Sequence, residues 1–397
     1  MTLKMFVAPL RYIQSSDALL RLGEQLQALG ISNPLVLASR SARKAVEPAI
    51  TRSLNECGIR YAFIDFGGEC TWKEIEKIKN ACVQGMHDAI INCGGGKTLD
   101  AGRCAATRIA TNVMKVPAER IDRFGAGVPC VNVPTVAATD AATSASSLVH
   151  KENGTIEAIM AFPTNPLMVF VDTTVIAKSP VRLLVAGMGD ALATYFEADM
   201  CFRTSTPTTS GRALSTRTGQ ALAKLCFDIL MDYGVQARIE AEVQVPGPGI
   251  EAVTEANILL SGLGFQNGGL SAAHAVGNAF DHVAKAFRKP QFHGETVAFG
   301  TLVQLMLESR VSDFLDKIFG FCRAVGLPTT FEELTLKDPN DEILRRVAEV
   351  ASRDILIRSM TGASRERDSK GRFFDDIAVF NAMKATDAYG RAFMKNF

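Results

Sequence analysis

The chain is 397 residues long, 47% hydrophobic and 21% charged, with a formal net charge of +1. That composition excludes a disordered chain and gives no electrostatic footprint for nucleic acid. The length exceeds the size at which one hydrophobic core stops growing, so two domains are expected, and no apolar run approaches the ~20 residues needed to cross a bilayer.

Taken in chain order, residues 5–10 are too short and too poorly flanked for a secretory signal. The first half then alternates two periods. Apolar runs bounded by turn residues, at 34–39, 61–66, 88–93, 129–133 and 167–172, predict strands. Helical spacing over 17–29, 42–57 and 73–86 separates the early ones. Buried strands alternating with helices predict an α/β domain built on a parallel sheet covered on both faces. After Ser179-Pro180 the strand signal ends. Residues 183–200, 210–233, 251–263, 270–287, 296–309 and 341–359 all carry helical periodicity, broken by turns such as Val245-Pro-Gly-Pro-Gly249. The expected division is therefore an α/β domain over 1–179 and an all-helical domain over 180–397. No internal repeat is present, and 362–371 has the mixed polar composition of a solvated loop. The nine cysteines stand singly, with no Cys-x-x-Cys pair, which argues against a thiolate zinc cluster and fits a reducing, cytoplasmic setting.

Gly94-Gly95-Gly96 follows one predicted strand and precedes a helix expected near Thr98. Consecutive glycines let backbone N–H groups approach a phosphate, and a helix N-terminus adds a favourable dipole. A P-loop would need glycine where Ile91 stands, and the Rossmann spacing fails at Leu99. By itself the triplet is either a turn or a phosphate cradle. The stretch 133–140 offers Thr135, Thr139, Asp140 and, just beyond it, Ser144, each able to cap a helix or to bind a cofactor or substrate.

Asp190, His274 and His293 stand in three separate segments suited to a divalent metal. Asp190 ends Gly187-Met-Gly-Asp190, where two glycines lead into a helix-forming run. His274 follows Gly268-Gly-Leu-Ser-Ala-Ala273, and His293 lies in Phe292-His-Gly-Glu-Thr296. One carboxylate with two imidazoles suits zinc, leaving a fourth position open. His87 has the setting of a surface histidine. His274 and His282 are eight apart on one predicted helix, about 12 Å at ~1.5 Å per residue, so only one can join the site. Small neighbours favour His274, whereas His282 sits among Phe280, Val283 and Phe287. A metal and a dinucleotide together point to hydride transfer.

These segments resemble the glycerol dehydrogenase family, the zinc branch of the iron-containing alcohol dehydrogenase superfamily. The likeness runs through Tyr12-Ile-Gln14, Arg21-Leu-Gly-Glu24, Phe66-Gly-Gly-Glu-Cys70, residues 94–100, Pro134-Thr135 and Thr139-Asp140. It continues through 182–198, 259–262, 268–276 and 293–304. The resemblance implies a Rossmann-like domain followed by an all-helical one, with the active site in the cleft between, in a homo-oligomer that is often an octamer. It implies one zinc per subunit on Asp190, His274 and His293, with Asp140 contacting substrate hydroxyls, so that Asp140 and His274 carry the catalysis. Ser39, Gly95, Gly96, Lys97, Thr98, Asp100, Thr135, Ala138, Ser144, Ser146 and His150 would contact the cofactor. The implied reaction is NAD(P)-dependent, zinc-dependent and reversible oxidation of a small polyol, glycerol to dihydroxyacetone, by hydride transfer from a metal-stabilised alkoxide.

The iron-dependent relatives carry a histidine four residues after the aspartate; Thr194 stands there, which favours zinc with an open position. Four departures stand out against the family pattern. Ser39-Arg40 replaces the usual aspartate after the strand, so nothing repels a 2′-phosphate and Arg40 or Arg43 could attract one; NAD is the family default and NADP the alternative. His150 and Ser146 replace a tyrosine and a leucine of the nicotinamide pocket. Residues 111–125 look inserted, covering the cofactor or altering subunit contacts. The 362–371 loop is longer than expected. The rival readings are a dehydroquinate-synthase-type lyase, which begins its ligand set with glutamate, and a glycerol-1-phosphate dehydrogenase.

Overall fold

The structure, a computed structural model, describes residues 3–138, 140–209, 213–336, 339–361 and 366–395, so Thr139, 210–212 and 362–365 lie outside it. The described chain forms two compact units. One comprises Val7–Pro180 with Glu240–Gly262; the other comprises Val181–Ile239 and the chain from Leu263 onward, together with the first residues up to Phe6. The chain therefore passes between units at 180/181, beside the expected 179/180 cut, and also at 6/7, 239/240 and 262/263.

Among its described residues the α/β unit holds ten strands: β1 (Arg11–Ser15), β2 (Pro34–Ala38), β3 (Ala62–Asp65), β4 (Ala89–Gly94), β5 (Ala110–Asn112), β6 (Glu119–Ile121), β7 (Cys130–Pro134), β8 (Ser146–His150), β9 (Ile156–Ala161) and β10 (Met168–Asp172). Six form a sheet in the order β1-β10-β7-β4-β2-β3, and every pairing in it is parallel. Its central strands are buried along their whole length, which is why they appear as unbroken apolar runs. Alternate side chains divide between two cores. Val36, Ile91 and Val131 meet Leu22, Val46 and Ile50 on one face; Leu35, Leu37 and Ile90 meet Ile75, Ile78 and Ala101 on the other.

A second, antiparallel sheet runs β6-β5-β9-β8. The stretch expected as an insertion, 111–125, supplies β6 and most of β5. The parallel sheet alone was expected from the sequence; this second sheet was not, because β6, β8 and β9 are only partly buried and leave no unbroken apolar run.

The other unit is helical, with no named strand among the described residues. Val181–Arg203, Arg217–Glu242, Ala272–Ala279, His293–Leu307, Ser312–Val325, Asp341–Arg353 and Asp376–Lys395 are its main helices. Phe280, Phe299, Phe331, Leu344, Val347 and Val379 fill a core there. The helix expected over 251–263 divides into Pro248–Glu255, a π-turn over Ala256–Leu260 and the start of Ser261–Gly268. Among the described residues no helix is long and apolar enough to cross a membrane.

Candidate metal centre and cofactor cradle

Asp190 lies inside the Val181–Arg203 helix, His274 in the first turn of Ala272–Ala279, and His293 at the first position of His293–Leu307. The glycines before Asp190 do not precede the helix; Gly187 and Gly189 are within it. Their role is close packing. A Cβ on Gly189 would stand 2.3 Å from Gly294 O, and one on Gly294 would stand 1.8 Å from Ala186 O. With glycine at both positions the two helices touch backbone to backbone, which brings His293 beside Asp190.

One ligand atom from each of Asp190, His274 and His293 lies within 4.8 Å of the others. Asp190 Oδ1 is 3.3 Å from His274 Nε2 and 3.6 Å from His293 Nε2. Two ligands at about 2.0–2.1 Å in a tetrahedral zinc shell stand roughly 3.4 Å apart, so these separations fit such a shell. Asp190 Oδ1 is buried and accepts no hydrogen bond, a costly state that a bound cation would relieve. Burial pushes the Asp190 carboxyl up, but the facing imidazoles of His274 and His293 outweigh it and hold it below the ordinary carboxylate range. Asp190 and His274 are buried, whereas the His293 side chain is 50% exposed. His282 is exposed and takes no part, and His87 Nδ1 faces Asn33 O at 3.0 Å.

The sequence reading missed Glu197. It is fully buried, and its Oε2 lies 2.6 Å from His274 Nδ1. Its Oε1 accepts the N–H groups of Ser271 and His274 at 2.8 and 2.9 Å. Asp190 and Glu197 are seven apart on one helix, two turns along one face. That spacing was the available signal. Beside His293, Glu295 accepts two bonds from Arg182, at 2.7 and 2.8 Å, and one from Phe292 N at 2.7 Å, fixing the helix start.

In the α/β unit the ends of β2, β4 and β7 adjoin: Ser39 N donates to Cys93 O and Thr135 N donates to Gly94 O. This gathers Ser39, Gly95, Gly96, Lys97 and Thr135. The helix begins at Gly96 with Gly95 as its N-cap and no side chain capping it. Ser39 caps the Arg40–Glu56 helix through Ala42 N. Thr135 also lines a cavity of about 520 Å³ with Ser41, Lys44, Asp172 and Lys178. Glu69 accepts from Lys97 Nζ at 2.5 Å and stands 3.3 Å from His150 Nδ1, joining two residues expected at the cofactor from the sequence resemblance. Thr98 and Asp100 are buried. Asp100 accepts from Leu148 N at 3.1 Å and from Arg103 at 3.2 Å; burial pushes its carboxyl up to about 6 against the pull of Arg103. Arg103 also donates to the carbonyls of Ser146 and Ala141. It thereby ties Ser146 and the neighbour of Asp140 to the glycine-turn helix. Ser144 Oγ donates to Ser146 O at 3.5 Å. Ala138 is half-buried beside Ala137.

The family model described as iron-containing alcohol dehydrogenase matches residues 9–173. Glycerol dehydrogenase from Escherichia coli O6:H1 is 36% identical over 98% of each chain. Glycerol dehydrogenase from Thermotoga maritima is 37% identical over 97% of each. The crystal structure of glycerol dehydrogenase from Schizosaccharomyces pombe superposes with a TM-score of 0.86 at 30% identity, covering 100% of this chain and 93% of that one.

Proposed function

We propose that this chain, which belongs to the iron-containing alcohol dehydrogenase family and is an oxidoreductase acting on CH–OH groups, oxidises glycerol reversibly to dihydroxyacetone, with a nicotinamide dinucleotide as hydride acceptor and zinc at Asp190, His274 and His293. The observation that carries the reading is the convergence of two imidazole nitrogens, from two further helices, on one buried Asp190 carboxylate oxygen that accepts no hydrogen bond. Zinc there would act as a Lewis acid that lowers the pKa of the substrate hydroxyl, while the nicotinamide would accept the hydride.

The chain's own contribution is positional. With a metal held there, Glu197 Oε2 would accept a hydrogen bond from His274 Nδ1–H, which leaves the Nε2 lone pair for the cation. The backbone N–H groups at the start of the Gly96–Ala106 helix suit a pyrophosphate, since no side chain caps them. Asp140, half-buried at the start of a short 3-10 turn, would accept a bond from a neighbouring substrate hydroxyl. Ser39 places no carboxylate where a 2′-phosphate would approach, so this reading keeps NAD as the default and admits NADP as the alternative. Eight of the nine thiols are buried and all are free, which suits a cytoplasmic enzyme.

The test is to assay the purified protein with glycerol and either cofactor, and in reverse with dihydroxyacetone. Cofactor-coupled turnover in both directions supports the proposal. Turnover confined to phosphorylated polyols, or phosphate release without cofactor reduction, would replace it with one of the rival readings.

A further inference from the structure

Among the described residues of 137–143, which include Asp140, the one regular element is the Asp140–Ala142 turn. Carbonyls in such a stretch must find partners other than a strand or helix ladder. Here side chains from four separate places supply them. Asn257 Nδ2 donates to Ala137 O at 2.8 Å, Asn132 Nδ2 to Ala142 O at 2.7 Å and Asn165 Nδ2 to Thr143 O at 2.7 Å. The buried guanidinium of Arg103 donates to Ala141 O. Asn132 belongs to β7, Arg103 to the Gly96–Ala106 helix, and Asn257 to the π-turn.

The π-turn has a second attachment. Thr143 Oγ1 donates to Ile258 O at 2.9 Å and lies 3.1 Å from Asp140 O. A π-turn shifts carbonyls off the regular helical ladder and commonly marks functional sites. Contact is so close that a Cβ on Gly262 would stand 1.8 Å from Thr143 Oγ1. Burying a guanidinium and two amides is costly unless each is bonded. Each of these side chains directs at least one donor at the backbone on either side of one carboxylate.

We infer that Asn257, with Arg103, Asn132 and Asn165, forms a set of positioning residues that fixes the Asp140 segment before substrate arrives. The inference rests on the substrate-orienting role proposed above for Asp140. Its consequence is that the hydroxylated substrate meets an acceptor already in place, so loosening the segment weakens substrate capture while leaving the metal ligands and the glycine turn intact.

The experiment compares the parent with Asn257→Ala and the near-isosteric Asn257→Asp, which keeps the shape but loses the donor; Asn165→Ala, at a half-buried position, serves if neither folds. Hydrogen exchange over peptides spanning 137–145 is measured beside steady-state kinetics, zinc content and cofactor affinity. The expected result is exchange at least tenfold faster in that segment and KM for glycerol raised by about tenfold, with kcat changed by less than about threefold. Zinc content and cofactor affinity stay at parent values. A melting temperature lowered with exchange and KM unchanged would overturn the inference, because that is the behaviour of a purely structural amide. If the parent turns over no polyol yet the segment loosens as described, the proposed reaction fails while the positioning stands.

Discussion

Glu197 and His274 form a buried carboxylate–imidazole pair, with Oε2 2.6 Å from Nδ1 and Oε1 bonded to the backbone N–H of the same histidine at 2.9 Å. One side chain thus sets both the tautomer and the ring orientation of a proposed metal ligand.

Replacing Glu197 by Gln keeps an oxygen for the two backbone N–H groups but turns an NH₂ toward Nδ1. That favours the tautomer with its proton on Nε2, the atom needed for the metal. The expected result is zinc affinity lowered 10- to 100-fold with circular dichroism unchanged. Zinc competition titration measures it, and parent-like affinity would show that Glu197 only packs.

In the proposed reading, cofactor choice turns on Ser39. Arg43 is committed to Glu47 and Asp65, both at 2.9 Å or less, so of Arg40 and Arg43 it is Arg40 that is proposed to meet a 2′-phosphate. Ser39→Asp is expected to lower kcat/KM for NADP by at least tenfold and to leave NAD within about twofold. Parent protein with a large preference for NAD would contradict this assignment.

Asp100 gives a pH dependence of defined sign. Burial holds its folded-state pKa at about 6, against about 3.9 unfolded. Between those values the folded protein binds the extra proton, so this group's contribution to stability falls as pH rises from 4 toward 7, by about 3 kcal/mol in total. Denaturant unfolding of the parent and of Asp100→Asn over that range checks it: the difference should move toward the variant with rising pH. A difference independent of pH would show that Asp100 is ionised at an ordinary pKa.

Thiol reactivity follows burial. Burial pushes Cys82 and Cys130 up to about 11 and Cys201 and Cys322 up to about 12. Cys57 is half-buried and the other eight are buried. A thiol reagent on the native protein should therefore label at most one cysteine, Cys57, and all nine after unfolding. Rapid native labelling of a second thiol would contradict the packing around it.

The parallel sheet was legible because strands buried on both faces leave unbroken apolar runs, as at Leu35–Ala38 and Ile90–Cys93. β1 was not, since an edge strand reading Arg-Tyr-Ile-Gln-Ser carries half-buried polar residues and no run. The antiparallel sheet hid for the same reason at Glu119–Ile121. Asp190, His274 and His293 could be named because glycines and small residues surround them in sequence, although the work those glycines do, letting two helices touch at Gly189 and Gly294, appears only in three dimensions. Arg103 and Asn257 act through carbonyls distant in sequence, and no local pattern marks a side chain whose partner is a distant backbone oxygen.

The most direct test of the central claim is reconstitution. Protein stripped by chelation and washed should lose glycerol oxidation, regain it with one equivalent of zinc per chain, and fail to regain it when Asp190→Asn or His274→Ala is substituted in a folded protein. Full activity in protein shown by metal analysis to hold no metal would contradict the account.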